Sequence, residues 1–310
     1  MTTISATIVA DSASIHGARI TTFQLRYPRW IHGEFMTHRA FARNASSSRA
    51  IPVKKMIAGI EADPAFPVHL GKHQSGMQAD EQISDPTARS AARALWRQAL
   101  RASVLAAKDL VDVCGVAKQV ANRLTEPFQH MDVIVTATDW DNFFALRCHP
   151  AAEPTIRVLA WSIADAYFGP DAKPLAVAPG GWHLPYIQDG ERLTLPIDVL
   201  IKCSAARCAR VSYKTHDGAF PKVAEDLALY DRLLAGLSLG DGEPGHMSPL
   251  EHPCTPLEDA VSRSGPFRGW KQHRKDIPGE CMTFDYHAAI ARGWKKKALE
   301  GISVVVDALV

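Results

Sequence analysis

Residues 35–51, FMTHRAFARNASSSRAI, place basic side chains and hydroxyls at a spacing that suits an anion. Arg39, Arg43 and Arg49 are separated by four and six residues, and the serine run 46–48 lies between the last two. Guanidinium groups, hydroxyls and backbone N–H groups that converge in this way bind phosphate. The segment alone leaves a second interpretation open, in which it is a solvated basic loop whose serines cap the next helix.

Residues 245–253, GHMSPLEHP, form a second polar cluster. His246 and His252 are six residues apart with no third partner at helical spacing, so the pattern does not predict a metal site. Ser248 and Glu251 share this segment with two prolines and follow a glycine-rich stretch. We expect polar side chains fixed in such a loop to contact an organic ligand.

The composition describes an ordinary globular protein. The 310 residues are 46% hydrophobic and 22% charged, with a formal net charge of +2, so no global bias toward nucleic acid or acidic membranes exists. The sequence has no apolar run of about eighteen residues, and its start lacks a basic n-region, which predicts neither a membrane span nor a signal peptide. The six cysteines form no CxxC pair. We therefore expect reduced thiols and a cytoplasmic protein.

Hydrophobic periodicity predicts both strands and helices. Two β-branched runs, 4–9 and 18–25, predict a hairpin, and a third strand is expected at 133–137. A further strand is expected at 199–203. The spacing of apolar residues predicts helices at 29–40, 86–113, 117–124, 141–146, 154–167 and 221–235.

Residues 169–190 are rich in proline and glycine and are the best candidate for a linker. They separate a half at 1–168, which carries the basic signature and the predicted nucleotide-binding helices, from a half at 191–310, which carries the second polar cluster. We expect the two halves to form one intertwined domain. Residues 267–274, FRGWKQHR, faintly repeat the EFMTHR pattern of the first half.

Four segments together resemble the flavin-dependent thymidylate synthases. That family has an Arg-His-Arg signature, followed after seven residues by Ser and two residues later by Arg. In HRAFARNASSSR, His38, Arg39, Ser47 and Arg49 match this signature, and Thr37 stands in place of its first arginine.

The other three segments are shorter. CARVSY at 208–213 is similar to the family's Ala-Arg-Val-Ser segment, and GHMSPLEH at 245–252 to its His-x-Ser/Thr-Pro-x-Glu-His segment. NFFALR at 142–147 resembles its helix ending in Leu-Arg. In the family the Ala-Arg-Val-Ser and Ser-Pro-x-Glu-His segments precede the signature, whereas here they follow it by about 160 residues. The order predicts a circular permutation with its new joint in the linker 169–190.

The resemblance implies the fold and the activity. The expected fold is α+β, with a mixed, largely antiparallel sheet and flanking helices, in permuted order. Such enzymes methylate dUMP at C5 with carbon from methylenetetrahydrofolate and reducing equivalents from NADPH. They bind FAD across the interfaces of a homotetramer, so we expect a homo-oligomer and no role for membranes or nucleic acid.

The resemblance also assigns roles to positions in this sequence. Arg147 is expected on the pyrimidine and His246 near the ring on which folate stacks, and these two are the expected catalytic residues. The expected FAD contacts are His38, Arg39, Asn44, Asn142, Ser212, Ser248 and Glu251. The expected substrate contacts are Glu34, Ser47, Ser48, Arg49, Arg123 and Arg147. The segment around Arg123 matches loosely, and Asn122 is the alternative for that position.

Departures from the family pattern keep other functions open. Ala45 stands where the family has Glu, and Glu34 where it often has Gln. Because a carboxylate accepts from the amino group of cytosine and repels the carbonyl of uracil, an enzyme that acts on dCMP, or one that hydroxymethylates dUMP, is an alternative. A non-catalytic nucleic-acid-binding protein is a third hypothesis, supported by basic clusters at 39–49 and 268–275. Residues 267–280 are either a nucleotide or folate platform, a second copy of the signature helix or an amphipathic surface segment.

Overall fold

The computed structural model describes residues 3–75, 81–213, 222–235, 246–280 and 286–300, with the backbone alone for 212 and 213. The chain forms two compact units, residues 1–276 and residues 277–310.

A five-stranded sheet is the centre of the first unit. Its strands are β1 (Ser5–Ser14), β2 (Arg19–Pro28), β3 (Ala42–Ala45), β4 (His130–Ala137) and β5 (Leu175–Val177). They lie in the order β3-β4-β2-β1-β5, and every pair is antiparallel except β1 with β5. The predicted hairpin at the start of the chain is confirmed, with Gly17 supplying a φ of 85° in its turn.

The described part of the first unit has nine α-helices besides this sheet. They are α1 (His32–Phe35), α2 (Val53–Ala62), α3 (Pro86–Asp112), α4 (Lys118–Ala121), α5 (Asp141–Arg147), α6 (Pro154–Phe168), α7 (Asp189–Thr194), α8 (Ile197–Tyr213) and α9 (Val223–Leu234). Asp85 and Glu153 accept backbone N–H bonds at the starts of α3 and α6, each before a proline, which explains why these two boundaries were predictable. Short 3-10 helices span Arg29–Ile31, Asn122–Phe128, Ser248–Glu251 and His273–Asp276. The largely antiparallel sheet with flanking helices confirms the predicted fold class.

The two faces of the sheet are covered by different helices. Phe23, Leu25, Val133 and Val135 are fully buried on one face, where they pack in one cluster with side chains of α5 and α6. On the opposite face Ile134 contacts Cys208 and Val211 of α8. Alternate residues of one strand therefore support two different layers.

The predicted strand at 199–203 is wrong, because these residues belong to helix α8. Its buried positions continue through Ser204, Arg207, Cys208 and Val211. Residues 203–209 are all buried, so the helix has no broad polar face in this part. Without such a face a buried helix shows an apolar run that cannot be told from a buried strand.

Two small hairpins complete the first unit. Strand β6 (Cys254–Pro256) pairs with β9 (Trp270–Gln272), and β7 (Arg263–Ser264) pairs with β8 (Phe267–Arg268). Gly269 has a φ of 72°, and a Cβ there would lie 2.6 Å from the Cβ of Ala18. The next residue, Trp270, is fully buried and donates its indole N–H to the carbonyl of Ala18 at 3.1 Å. Strand β9 is thus fixed against the turn between β1 and β2.

The predicted linker contributes to the first unit. Its residues 175–177 form β5 beside β1, and Leu184 is buried. The permutation and the division into two halves stay predictions. The second unit has helices α10 (Tyr286–Ala291) and α11 (Trp294–Leu299) in its described part. Across the described ranges, no helix is both long enough and apolar enough to cross a bilayer.

A buried chain of hydrogen bonds crosses the sheet. The hydroxyl of Ser12 lies 2.9 Å from Nδ1 of His183, whose Nε2 lies 2.7 Å from Oγ1 of Thr22. Thr22 contacts Thr136 at 2.7 Å, and Thr136 contacts Nδ1 of His252 at 2.8 Å. These bonds connect β1, β2 and β4 to His183 of the predicted linker and to His252 of the second half.

Candidate functional site

The signature segment leaves its helix earlier than the sequence predicts. Helix α1 ends at Phe35, so the predicted helix 29–40 is wrong in its second half. The hydroxyl of Thr37 donates to the carbonyl of Glu34 at 2.7 Å, and Arg43 donates to the carbonyls of Phe35 and His38 at 3.2 and 2.9 Å. Side chains thus satisfy carbonyls that a longer helix would bond through its backbone, and the chain continues into β3.

Arg147, the last residue of α5, connects the signature segment to the predicted Leu-Arg helix. Its Nε donates to Nε2 of His38 at 3.0 Å, its Nη1 to Glu34 at 3.2 Å and its Nη2 to Thr37 at 3.3 Å. The planar fork is therefore oriented by three side chains of α1 and the turn that follows it. Among the predicted site residues, Glu34, His38 and Arg147 are brought into direct contact.

His38 is held as a neutral imidazole. Burial lowers its pKa to about 4, and the neighbouring Arg147 and Arg43 guanidinium groups act in the same direction. An arginine N–H can only donate, so Nε2 of His38 accepts and its hydrogen is on Nδ1. The ring also lies edge to face with Phe143 at a centroid distance of 5.0 Å. His38 thus orients Arg147 without adding a second positive charge.

Glu34 faces the same arginine from the solvent side. Its side chain is 40% exposed, and burial together with Glu153 raises its pKa, while Arg147 opposes that rise. The Glu34 carboxylate thus places a hydrogen-bond acceptor beside the guanidinium donors of Arg147, at the exposed edge of the site.

The serine run is built into the fold at alternate positions. The backbone N–H of Ser46 donates to the carbonyl of Asp132 at 2.8 Å, and the N–H of Asp132 donates to the hydroxyl of Ser46 at 3.1 Å. The hydroxyl of Ser48 donates to Glu126 at 3.2 Å. Asn122 donates to the carbonyls of Ser48 and Ile51 at 2.7 and 2.9 Å. Ser46, Ser48 and Asn122 are buried, so their side chains shape the loop. Ser47 is only half-buried and its hydroxyl accepts from the N–H of Arg49 at 3.3 Å.

Three predicted arginines remain open to a ligand. Arg39, Arg49 and Arg123 are exposed, and within the described ranges no ion pair or side-chain hydrogen bond engages their guanidinium groups. Arg49 follows Ser48 and Arg123 follows Asn122, so the contact between Ser48 and Asn122 brings these two arginines to neighbouring parts of the surface. Unpaired guanidinium groups beside a half-buried serine suit a phosphate.

Segments that are far apart in sequence meet at β3. Asn44 donates its amide to the carbonyl of Cys208 in α8 at 2.8 Å, and the 3-10 helix Ser248–Glu251 packs on the same strand. Glu251 is partly buried, and burial raises its pKa, although Arg274, Lys275 and Arg43 oppose the rise. The structure thus gathers three of the four segments that the sequence placed together by resemblance.

Sequence reasoning missed one partner of this site. Arg274 donates to Glu251 at 2.6 Å from the 3-10 helix His273–Asp276, which follows β9. The only available signal was the echo of the signature at 267–274, which left three interpretations open. No local pattern indicates that β9 pairs with β6 and so carries Arg274 to Glu251.

Besides the exposed arginines, three predicted residues are not joined to the site by a described contact. Asn142 is exposed in the first turn of α5, five residues and about 140° around the helix from Arg147. His246 is half-buried, and its backbone N–H donates to the carbonyl of Leu233 at 3.0 Å. Ser212 belongs to the last turn of α8, and its side chain lies outside the described residues.

The donor set fits an anionic dinucleotide better than a metal ion. The exposed guanidinium groups of Arg39, Arg49 and Arg123 suit the phosphates of such a ligand. In the part of the chain that is described, no group of three His, Cys, Asp or Glu side chains is arranged as metal ligands. The residues present therefore fit a flavin nucleotide and a nucleotide substrate.

Comparison with known families identifies the class of protein. The family described as thymidylate synthase complementing protein matches residues 11–167, half of the chain, and the chain belongs to this family. The matched range contains Glu34, His38, the serine run and Arg147, whereas Ser212, His246, Ser248 and Glu251 lie beyond it. The family is flavin-dependent, and the chain is therefore a flavin-dependent thymidylate synthase-like enzyme that modifies C5 of a pyrimidine nucleotide. Its being an enzyme sets aside the hypothesis of a non-catalytic nucleic-acid-binding protein.

Two solved structures of a UMP/dUMP methylase, PolB from Streptomyces cacaoi, are similar to part of the chain. The structure bound with 5-Br UMP is 19% identical, with a TM-score of 0.43, over 54% of this chain and 89% of that chain. The structure bound with 5-Br dUMP is 17% identical, with a TM-score of 0.44, over 54% and 90%. No curated protein matches the sequence.

Proposed function

We propose that this enzyme transfers a one-carbon unit from methylenetetrahydrofolate to C5 of a deoxypyrimidine monophosphate, most simply converting dUMP to dTMP, with FAD as cofactor and NADPH as reductant. The contact of Arg147 with His38 and Glu34 carries the proposal, because it joins the two segments to which the resemblance assigns flavin and pyrimidine. The flavin dependence of the family supports it.

The residues of the chain have separable tasks in this proposal. Bound flavin would supply the hydride that completes the methyl group. Arg147, oriented by neutral His38, stabilises negative charge that develops on the pyrimidine carbonyl oxygens. Ser47, Arg49 and Arg123 hold the nucleotide phosphate, and Arg39 is left for the flavin phosphates. Pre-orientation of Arg147 by three side chains reduces the reorganisation that the reaction requires.

Flavin binding is the direct test. We expect the purified protein to show flavin absorption bands, or to quench FAD fluorescence at micromolar concentrations after removal of the cofactor. Turnover of dUMP with methylenetetrahydrofolate and NADPH, followed by product analysis, then tests the reaction. A colourless protein that does not quench FAD fluorescence would contradict the proposal.

One observation favours a second substrate. The carboxylate of Glu34 is partly exposed beside Arg147, and it accepts hydrogen bonds that the amino group of cytosine donates. We therefore propose dCMP as the alternative substrate, and a hydroxymethylated product as the alternative outcome. Parent and Glu34→Gln proteins are compared for kcat/KM with dUMP and dCMP. If Glu34 selects cytosine, Glu34→Gln shifts the ratio at least tenfold toward dUMP, and an unchanged ratio rules this role out.

The resemblance also leads us to propose a homo-oligomer, a tetramer in the simplest case. The exposed guanidinium groups of Arg39, Arg49 and Arg123 are then open to a flavin shared with a neighbouring subunit. Light scattering after size exclusion measures the mass. A monomer with full activity would show that one chain suffices.

A further inference from the structure

Two short 3-10 helices meet at Glu251. The helices Ser248–Glu251 and His273–Asp276 pack together because strands β6 and β9, which adjoin them in the chain, are paired. Nε2 of Gln272, the last residue of β9, donates to the carbonyl of Glu251 at 3.4 Å. The strand pairing therefore brings Arg274 next to Glu251 although the two residues are 23 positions apart.

Arg274 holds one oxygen of the Glu251 carboxylate. Its Nη1 donates to Oε1 at 2.6 Å, and the two side chains are 27% and 19% exposed. Among the side chains that the structure describes, none donates to Oε2 of this carboxylate. A carboxylate that a guanidinium holds by one oxygen keeps the second oxygen as an acceptor for an N–H or O–H group of a ligand.

Three cations and a thiol surround Glu251. Arg274 and Lys275 come from the second 3-10 helix, Arg43 from β3 and Cys254 from β6. Burial raises the pKa of the Glu251 carboxyl, and the three cations oppose this rise. The thiol of Cys254 is neutral, because burial raises its pKa. Arg274 acts through a direct hydrogen bond, whereas Nη1 of Arg43 is bonded to two backbone carbonyls.

Glu251 also faces the signature segment. Its 3-10 helix packs on β3, and Arg43 of that strand donates to the carbonyl of His38 at 2.9 Å. The ring of His38 in turn accepts from Arg147 at 3.0 Å. The packing thus links Glu251 to the turn that orients Arg147.

We propose that Arg274 is a positioning residue, whose guanidinium holds Oε1 of Glu251 and keeps the carboxylate ionised, so that Oε2 accepts a hydrogen bond from bound flavin. The inference rests on the proposed function for the identity of the ligand, and it adds a residue that lies beyond the matched range of the family. It also gives a role to part of residues 267–280, for which the sequence leaves three interpretations open.

Carbon NMR of glutamate carboxyl groups tests the ionisation directly, with the Glu251 signal assigned through Glu251→Gln. Arg274→Gln removes the cation that favours the carboxylate, so we expect the pKa of Glu251 to rise by about one pH unit or more. Arg274→Lys keeps a positive charge and should recover most of the parental value. Arg268→Gln, in the same segment but paired with Asp139, is the control and should match the parent. An unchanged pKa of Glu251 in Arg274→Gln would overturn the proposal.

FAD affinity across pH, measured by fluorescence quenching, separates positioning from a merely structural role. A neutral carboxyl is a weaker acceptor than a carboxylate, so binding should weaken as the pH falls through the pKa of Glu251. Arg274→Gln should lose affinity at a higher pH than the parent, by about tenfold between the two pKa values, and should match the parent above both.

An equal loss of FAD affinity by Arg274→Gln at every pH would show that Arg274 only supports the fold, and would overturn the proposal. A parent protein that binds no FAD would instead refute the proposed function. The NMR titration of Glu251 would still decide in that case whether Arg274 keeps the carboxylate ionised.

Discussion

At the scale of single residues, Arg147 and Arg49 have opposite surroundings. Arg147 is held by three side chains, whereas the guanidinium of Arg49 is exposed and has no partner among the described residues. A fixed cation suits charge that develops during reaction, and an exposed cation suits a phosphate that is charged throughout. Their variants should therefore fail in different ways.

Arg49→Ala should raise KM for the nucleotide about ten- to a hundredfold, because it removes a charge-assisted contact of about 1.5 to 3 kcal/mol that is present in ground and transition states. Arg147→Ala should lower kcat more than it weakens nucleotide binding. Steady-state kinetics and calorimetry on both variants make the comparison. Arg93→Ala, on the exposed face of α3, is the control and should match the parent. Tight nucleotide binding by Arg49→Ala, or loss of its flavin, would refute the assignment.

The sequence supports some residue assignments better than others. Glu34, His38 and Arg147 each lie in a short motif of the family, so the resemblance groups them although Arg147 is 109 residues from His38 and 113 from Glu34. Arg274 depends on the pairing of β9 with β6 and then on a 3-10 turn. Contacts that depend on such tertiary pairing leave no local pattern in the sequence.

At the scale of elements, the β8–β9 connection depends on Gly269. A side chain there would require a left-handed φ of 72° and would place a Cβ 2.6 Å from Ala18 and 3.3 Å from the carbonyl oxygen of Ala260. We expect Gly269→Ala to lower the free energy of unfolding by about 2 to 3 kcal/mol, from backbone strain and overpacking together. Urea unfolding of the parent and of Gly269→Ala measures this change in the free energy of unfolding.

Gly190→Ala is the matched control, because it lies in a helix with open space around the added methyl group. It should raise the free energy of unfolding by up to about 1 kcal/mol. Equal stability of the two alanine variants would show that the contact with Ala18 does not constrain this connection.

Elements differ in how far the sequence determines them. Helices α3 and α6 begin with a capping acid and a proline, so both were predicted closely. Helix α8 was missed because burial on nearly all sides removes its periodicity, and α1 was overextended because side chains of Thr37 and Arg43 end it. Burial of α8 and local side-chain bonds at the end of α1 thus account for the two errors.

At the scale of the whole molecule, acid should unfold the protein through buried imidazoles. His183 and His252 are fully buried, and burial lowers the pKa of each to about 3 from an ordinary 6.5. Below pH 6.5 both histidines are protonated in the unfolded chain but stay neutral in the folded chain. The free energy of unfolding therefore falls as the pH falls toward 3. Each histidine contributes about 1.4 kcal/mol per pH unit in that window and nothing above pH 7.

Urea unfolding at pH 7, 5.5 and 4.5 measures this slope. His252→Gln should reduce it by about 1.4 kcal/mol per pH unit, whatever it does to stability at pH 7. His149→Gln, at an exposed position, serves as the control and should retain the parental slope. Equal slopes for His252→Gln and the parent would contradict the assignment.

The hydrogen-bonded chain through the sheet also restricts where protons can be. Each threonine hydroxyl has one hydrogen, so if Thr136 donates to His252 then Thr22 donates to Thr136 and His183 donates to Thr22, and the reverse direction inverts every bond. Only two arrangements therefore give the hydrogen of each threonine hydroxyl an acceptor within the chain of five groups. In one, both imidazoles carry hydrogen on Nδ1, and in the other both carry it on Nε2. Nitrogen chemical shifts should report the same tautomer for His183 and His252. In Thr22→Val, which lacks the hydroxyl between them, the tautomer of one ring should no longer depend on that of the other.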